Sequence, residues 1–471
     1  MKKIILKEIA QELLPHQQNL RQPVHVVYGG ANLFTAETPA KLGKLALKSI
    51  ETYAPNFVEF AYAMWLSGAD TLPTFADVIE DLEKQTTKNA EKVKTENFAA
   101  WFAWTIYQKT LEKLKREPVE DFRIDFEDGY GFRTDAEEDS HAISASDALA
   151  KSFLANTITP FCGFRIKSFA PETKNRAVRT LNLFLENLII KTSGNLPENF
   201  CVTLPKITNV KEIKELRKWL EKFEAKNKLP KNSIKIEIMV ETPTAILDEN
   251  GANPLAKFIK VGKGRINSAH FGAYDYTSSF GISAVHQHLN HDACNFARQM
   301  MLVALSPLNI QLSDSVTIEM PVPIYKGENL SDKQIRENKR AVHTAWRTHF
   351  NNVTRSQING FYQSWDLHPA QLAARYAAVF AFFLESKDAQ SKRLKGFIEK
   401  ATQANMTENT FDDAASANGL LNFFVRALNC GAMSETEISQ ATSLNANELH
   451  STSFLKIMEN RHKEATKISK L

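Results

Sequence analysis

Residues Arg123–Ser140 read RIDFEDGYGFRTDAEEDS. The first of them alternate: Ile124 and Phe126 share one face of an extended segment, and Asp125 and Glu127 share the other. A carboxylate that faces into a fold must be ion-paired, hydrogen-bonded or close to a metal, because burying it alone is too costly. The plainer reading is a solvated acidic loop. The rest of the chain decides between them.

The strand in FRIDFED, ending at Asp128, is one of eight. The others are Val24–Gly30 (VHVVYGG), Phe161–Lys167 (FCGFRIK), Cys201–Ile207 (CVTLPKI), IKIEIMVE ending at Glu241, NSAHFGAYD ending at Asp275, NIQLSD ending at Asp314, and GFYQSWDLHP ending near Pro369. Helical segments separate most of them, such as TPAKLGKLALKSIETYA with Thr38 as its expected cap. Strands alternating with helices imply a parallel sheet. Eight units favour a closed (β/α)8 TIM barrel over an open doubly wound sheet. VYGGANLF also lacks the glycine spacing of a dinucleotide-binding turn. The expected organisation is a first barrel unit in 1–54, an aromatic-rich helical insertion in 55–119, the remaining barrel in 120–385 and a helical extension in 386–471.

The composition agrees with such a protein. Of 471 residues, 43% are hydrophobic, enough for a full core, and the net charge of +4 gives no sign of a nucleic-acid or membrane partner. The four cysteines, Cys162, Cys201, Cys294 and Cys430, form no CxxC pair, so neither a zinc ribbon nor a disulfide scaffold is indicated. The opening MKKIILKEIAQELLPHQQ carries no secretory pattern, and no apolar run approaches a membrane span. A soluble cytoplasmic protein is expected.

Chemistry in a TIM barrel gathers at the carboxyl ends of the strands. Here those ends carry Asp125, Glu127 and Asp128, then Arg165, Lys206, Glu241, Asp275, Asp314, and finally Asp366 and His368. One ionisable ending means little, whereas a ring of mixed sign points to an active-site rim. Glu241 and Asp275 end consecutive strands, and two carboxylates with waters and substrate oxygens are the usual Mg²⁺ ligand set. The alternative for Glu241 is a helix N-terminal carboxylate. Arg165 presents a planar fork suited to a substrate carboxylate. It could equally pair with Asp125 or Glu127, and the two roles are compatible. Lys206 adds a second positive charge, or a rim salt bridge.

These endings resemble the HpcH/HpaI aldolase and citrate lyase β-subunit family. DFEDGYG is similar to its acidic motif, FRIKS to its substrate arginine, LPKI to its lysine strand, VETPTAI and FGAYDYTSSFGI to its two magnesium carboxylates, and DLHPAQ to its HP-x-Q signature. PVHVVYGGANLF, with Tyr28, is similar to the opening strand and loop. The resemblance covers roughly residues 22–54 and 120–375 in order, and leaves the insertion and the last hundred residues without counterpart. It implies a pyruvate/phosphoenolpyruvate-binding barrel acting as a carbon–carbon lyase on a 2-oxo acid or acyl-CoA substrate. Glu241 and Asp275 would hold Mg²⁺ or Mn²⁺. Arg165, Lys206, Tyr28, Glu127 and His368 would contact substrate, and Asp128 or Asp314 would move the proton. A CoA thioester stays open, and a homo-oligomer is expected. The rival functions are phosphoryl transfer from phosphoenolpyruvate and ligand binding without turnover.

HQHLNHD, with His286, His288, His291 and Asp292, fits a polar loop better than a zinc site. Gly29-Gly30 suits a tight turn as well as a phosphate or CoA group. Trp101, Phe102, Trp104 and Tyr107 fall at helical spacing and suit a core or a subunit contact.

Overall fold

The computed structural model describes residues 21–406, 414–450 and 453–468. Eight parallel strands pair in chain order and close on themselves: β1 (His25–Gly30), β2 (Asp121–Asp125), β3 (Phe161–Arg165), β4 (Phe200–Leu204), β5 (Lys235–Val240), β6 (Ile266–Phe271), β7 (Gln311–Val316) and β8 (Gln363–Trp365). The chain is therefore the (β/α)8 barrel its strand–helix alternation predicts. The opening segment 1–20 lies outside the described residues, as do residues 469–471 of the basic tail. No helix among the described residues is long and apolar enough to cross a membrane.

A barrel strand has no solvent face, so every residue of β2, β3 and β4 is buried. The outward positions are apolar and meet the helices. Phe164 of β3 stacks on Phe184 at 4.1 Å between ring centroids, and Phe126 meets the same ring edge-on at 6.1 Å. The inward positions are largely polar, unlike the branched aliphatic layers that usually fill such barrels. They form a column rather than a pore. Arg123 is paired with Asp121 and lies 3.5 Å from Glu237 across the barrel. Glu237 also accepts from Tyr28 (2.9 Å), Thr203 (2.9 Å) and Ser268 (3.0 Å). Burial drives both carboxyls up. Arg123 and the hydroxyl donors bring Glu237 down to about 2, whereas Asp121, next to that second carboxylate, stands at about 7.

The insertion is helical as expected, in segments Phe57–Met64, Ala76–Lys88, Ala90–Glu96 and Phe98–Arg116. It shares the barrel's core. Tyr107 donates to Pro55 O at 3.0 Å, and Tyr376, from the helix Gln371–Met406, donates to Pro118 O at 3.0 Å. That helix runs unbroken across residues 385 and 386. Thr38 starts its helix instead of capping it, and its hydroxyl accepts the Thr35 N–H at 2.9 Å.

Asp366, just beyond β8, fastens this helical side to the barrel. Its buried carboxylate accepts from His25 Nδ1 (2.8 Å), His349 Nε2 (2.8 Å) and Arg375 Nη2 (2.6 Å). Burial raises its pKa, but Arg375 and the imidazoles more than offset that and hold it well below 3.8. Its contribution to stability is therefore present above 3.8 and lost as pH falls through and below that value. Asp366→Asn leaves Arg375 buried without an anion and should cost about 3–5 kcal/mol, read by urea unfolding at neutral pH. The gap from wild type should shrink in acid.

Candidate active site

The carboxyl ends of β2 to β6 converge on a charged mouth, and Arg165 is its fixed point. Asp125 and Arg165 are directly opposite in the β2–β3 register. Asp125 takes Arg165 Nε at 2.7 Å and Nη2 at 2.6 Å, and both side chains are fully buried. The guanidinium also lies over the rings of Tyr28 (4.8 Å) and Trp365 (5.7 Å). Its remaining nitrogen, Nη1, faces Glu127 at 3.1 Å, Asp128 at 3.5 Å and the Met239 sulfur at 3.6 Å.

The acidic stretch folds back over this pair. Asp125 accepts the N–H of Glu127 (3.0 Å) and of Gly129 (2.7 Å). A Cβ on Gly129 would come within 2.6 Å of Asp125 Oδ2, so only glycine lets the turn close there. Glu127 and Asp128 thereby stand side by side at the rim. Burial and the neighbouring Asp128 push Glu127 to about 7 despite Arg165. For Asp128 burial is outweighed by Glu127, Arg165 and Lys206, and it stays below its usual range.

Lys206 follows β4 with φ of +50°, a left-handed conformation that costs a lysine energy. The turn aims two groups at once. The backbone N–H donates to Glu241 Oε1 at 2.6 Å, and the ammonium pairs with Glu127, with Asp128 at 3.0 Å and with Asp275 at 3.6 Å. Glu241, just past β5, is buried, and burial plus the nearby Asp275 push it to about 8. Asp275 sits on the short helix Ala273–Ser278 and is half exposed.

Six expected residues thus meet: Arg165, Glu127, Asp128, Lys206, Glu241 and Asp275. Three do not. Tyr28 lies beneath Arg165, its hydroxyl shared between Glu237 and His270 Nδ1 (3.0 Å). Asp314 is not at the mouth: it shares the helix-facing side of β7 and binds Arg298 (3.1 Å) and Ser356 (2.6 Å). His368 caps the start of the long helix through the Ala370 N–H at 3.2 Å, and burial lowers its pKa. Gln371 accepts the N–H of Leu367 (2.7 Å) and donates to Thr317 O (2.8 Å), tying the β7 and β8 loops together. His368 lines an apolar cleft of ≈ 190 Å³ with Tyr28, Gly29, Gly30, Phe34 and Leu372. In the histidine-rich loop, His291 accepts the Ala293 N–H at 3.1 Å as a helix cap.

Glu237, His270 and Trp365 escaped the reading of strand ends. Period-two counting back from Glu241 in IKIEIMVE was the available signal for Glu237.

Residues 6–457 match the family described as Domain of unknown function (DUF6986), and the chain belongs to that family. No curated protein matches it in sequence. Among solved structures the chain is similar to Haloferax volcanii malate synthase in its lead(II) complex, with 14% identity and a TM-score of 0.39 over 66% of this chain and 80% of that one. It is also similar to the M. tuberculosis citrate lyase β subunit complexed with oxaloacetate and magnesium, with 16% identity and a TM-score of 0.35 over 58% and 92%. The barrel rests on its own strand pairing, and neither likeness assigns an activity.

His270 gives this site a stability signature. Its Nε2 donates to the Asp314 carbonyl at 3.0 Å, and burial lowers its pKa from 6.5 to about 4. The unfolded chain therefore takes up the proton first. Stability should be full above pH 6.5 and decline toward pH 4, by about 3 kcal/mol from this residue. His270→Gln should flatten that part of the curve in denaturant titrations.

Proposed function

We propose that the chain is a divalent-cation-dependent carbon–carbon lyase acting on a 2-oxo acid or a related acyl thioester. The observation that carries this reading is Arg165. Two of its nitrogens are committed to Asp125 where water does not reach, and the third is turned to the mouth, where it meets Glu127 at 3.1 Å. A guanidinium held this way is preorganised for a substrate carboxylate, with the Lys206 ammonium as a second anchor.

The donor set fits Mg²⁺ or Mn²⁺. Glu241 and Asp275 are hard oxygen donors whose mutual repulsion contributes to the raised Glu241 pKa, which a dication would relieve. Space beside Glu241 is kept by Gly272, where a Cβ would fall 2.4 Å from Oε2. Among the described residues no three His, Cys, Asp or Glu side chains form a fuller cage, so substrate oxygens and water would complete the shell. Bound there, the cation supplies Lewis-acid stabilisation of negative charge developing on a substrate oxygen.

The protein's own groups do the rest. Arg165 and Lys206 hold the acid, the Tyr28 and Trp365 rings support the guanidinium from one side of the barrel, and Asp125 keeps it charged and oriented. Asp128, ionised and at the rim, is placed to take or return a proton beside the scissile bond, with Glu127 as its partner. Asp314, engaged with the helix layer, has no part. The apolar cleft beside Gly29 and Gly30, at the carboxyl end of β1, suits the apolar arm of a thioester.

Calorimetry with oxalate, a mimic of a 2-oxo acid enolate, tests the reading. Oxalate should bind with Mg²⁺ present, Glu241→Ala should abolish the metal dependence, and Arg165→Lys should weaken binding at least about tenfold, or ~1.4 kcal/mol. Oxalate binding indifferent to Mg²⁺, Glu241 and Arg165 alike would overturn it. Gly272→Ala should displace the Glu241 carboxylate and weaken Mn²⁺ binding, measured directly by calorimetry, while the fold survives by circular dichroism.

A further inference from the structure

A cavity of ≈ 430 Å³ lies at the end of the barrel opposite the mouth. Residues at or just before the starts of β1, β3, β4, β6, β7 and β8 line it on one side. The helix Ala414–Asn429, part of the C-terminal extension, lines the other. The extension therefore builds a chamber that the barrel alone does not have.

Side-chain amides supply most of the chamber's polar wall, among them Gln22, Asn199, Asn267, Asn309, Asn422 and Asn429. Amides offer both donors and acceptors, which suits hydroxyl and carboxyl groups alike. One charged side chain, Arg426, lines the cavity, and no Asp or Glu does. Its guanidinium lies 3.8 Å above the centre of the Tyr362 ring and donates to Gln22 Oε1 at 3.0 Å. No carboxylate among the described residues forms a salt bridge with it. A guanidinium fork laid on an aromatic ring, with neutral amides around it, is an arrangement for binding an oxyanion.

A second observation is independent of Arg426. Gln357 lines the same cavity and is 2% exposed, yet neither its amide oxygen nor its amide nitrogen has a hydrogen-bond partner. Buried amides are almost always bonded, and leaving one unmade costs about 1–3 kcal/mol. The chain itself leaves both the donor and the acceptor of this chamber-lining amide unpaired.

We propose that this chamber is a binding site for a small organic anion. Its carboxylate or phosphate pairs with Arg426, and its neutral polar groups pair with Gln357 and the surrounding amides. The site lies a full strand length from the mouth, so its occupant is an effector or second ligand rather than the reacting substrate. Nothing in this assignment depends on the chemistry at the mouth.

The test is calorimetry and thermal melting of the full chain with citrate and with inorganic phosphate, in wild type, Arg426→Gln, Asn422→Trp and Gln357→Met. Asn422→Trp fills the chamber from an exposed helix position, so it remains informative if Arg426→Gln fails to fold. At least one anion should bind and raise the melting temperature, and which one tells carboxylate from phosphate recognition. Arg426→Gln and Asn422→Trp should each weaken binding tenfold or more, and Glu241→Ala at the mouth should leave it unchanged. Without anion, Gln357→Met should melt at or above the wild-type temperature, because an unpartnered buried amide is removed, and it should lose most of the anion-induced shift. Failure of both anions to bind, or binding unaltered by Arg426→Gln and Asn422→Trp, would overturn the proposal and leave the reading of the mouth untouched.

Discussion

Arg165 is an arginine that no water reaches, and the mouth is organised around keeping it charged. A buried cation without an anion is among the most expensive states a protein can hold. Register solves half of the problem, since β2 and β3 place Asp125 directly across from it. Backbone geometry solves the other half. The N–H groups of Glu127 and Gly129 donate to the Asp125 oxygens and orient them toward the guanidinium. That demand bends the chain after β2 and sets Glu127 and Asp128 side by side above Arg165. The acidic loop is thus the folded consequence of one ion pair.

The same logic extends down the barrel. Asp121 and Glu237 share Arg123; Asp121 makes the closer contact, and Glu237 is the one held ionised, because three hydroxyl groups also donate to it. Asp121, left with Arg123 and a Gln363 amide at 3.2 Å, is the carboxyl driven up to about 7. The hydroxyl of Tyr28 has one proton for two acceptors, Glu237 and His270. Because His270 Nε2 must donate to a carbonyl, its neutral ring offers Nδ1 only as an acceptor. A polar column of this kind contributes less stability than an aliphatic core of equal volume. What it supplies is a rigid, oriented support under Arg165.

Most of the barrel was legible because each strand begins and ends at a change of period, and the parallel order follows from the intervening helices. The mouth was legible where the strand end itself carries the group, as at Arg165 and Glu241. Asp275 was placed at a strand end, but β6 stops at Phe271 and the residue sits on a helical turn, still close enough to act on Glu241. Asp314 shows the limit of counting ends. Leu312, Asp314 and Val316 alternate on one side of β7, so the aspartate faces the helices with its apolar neighbours. The partners that make this tolerable, Arg298 and Ser356, come from two different helices and leave no local trace. The chamber at the far end was illegible for the same reason: its lining runs from Gln22 to Cys430 with no motif in common.

Lys206 shows why one strained residue can be kept. A glycine would adopt φ of +50° at less cost, and would still donate its N–H to Glu241. It would not bring an ammonium among Glu127, Asp128 and Asp275. Those three carboxylates and Glu241 crowd a rim whose other cation, Arg165, is already held by Asp125. Lys206 lowers the pKa values of Glu127, Asp128 and Glu241 alike, so without it these carboxyls would hold their protons more strongly still. The left-handed turn therefore does two things that no relaxed residue does together. It fixes the orientation of Glu241 through the backbone, and it sets a positive charge among the rim carboxyls through the side chain.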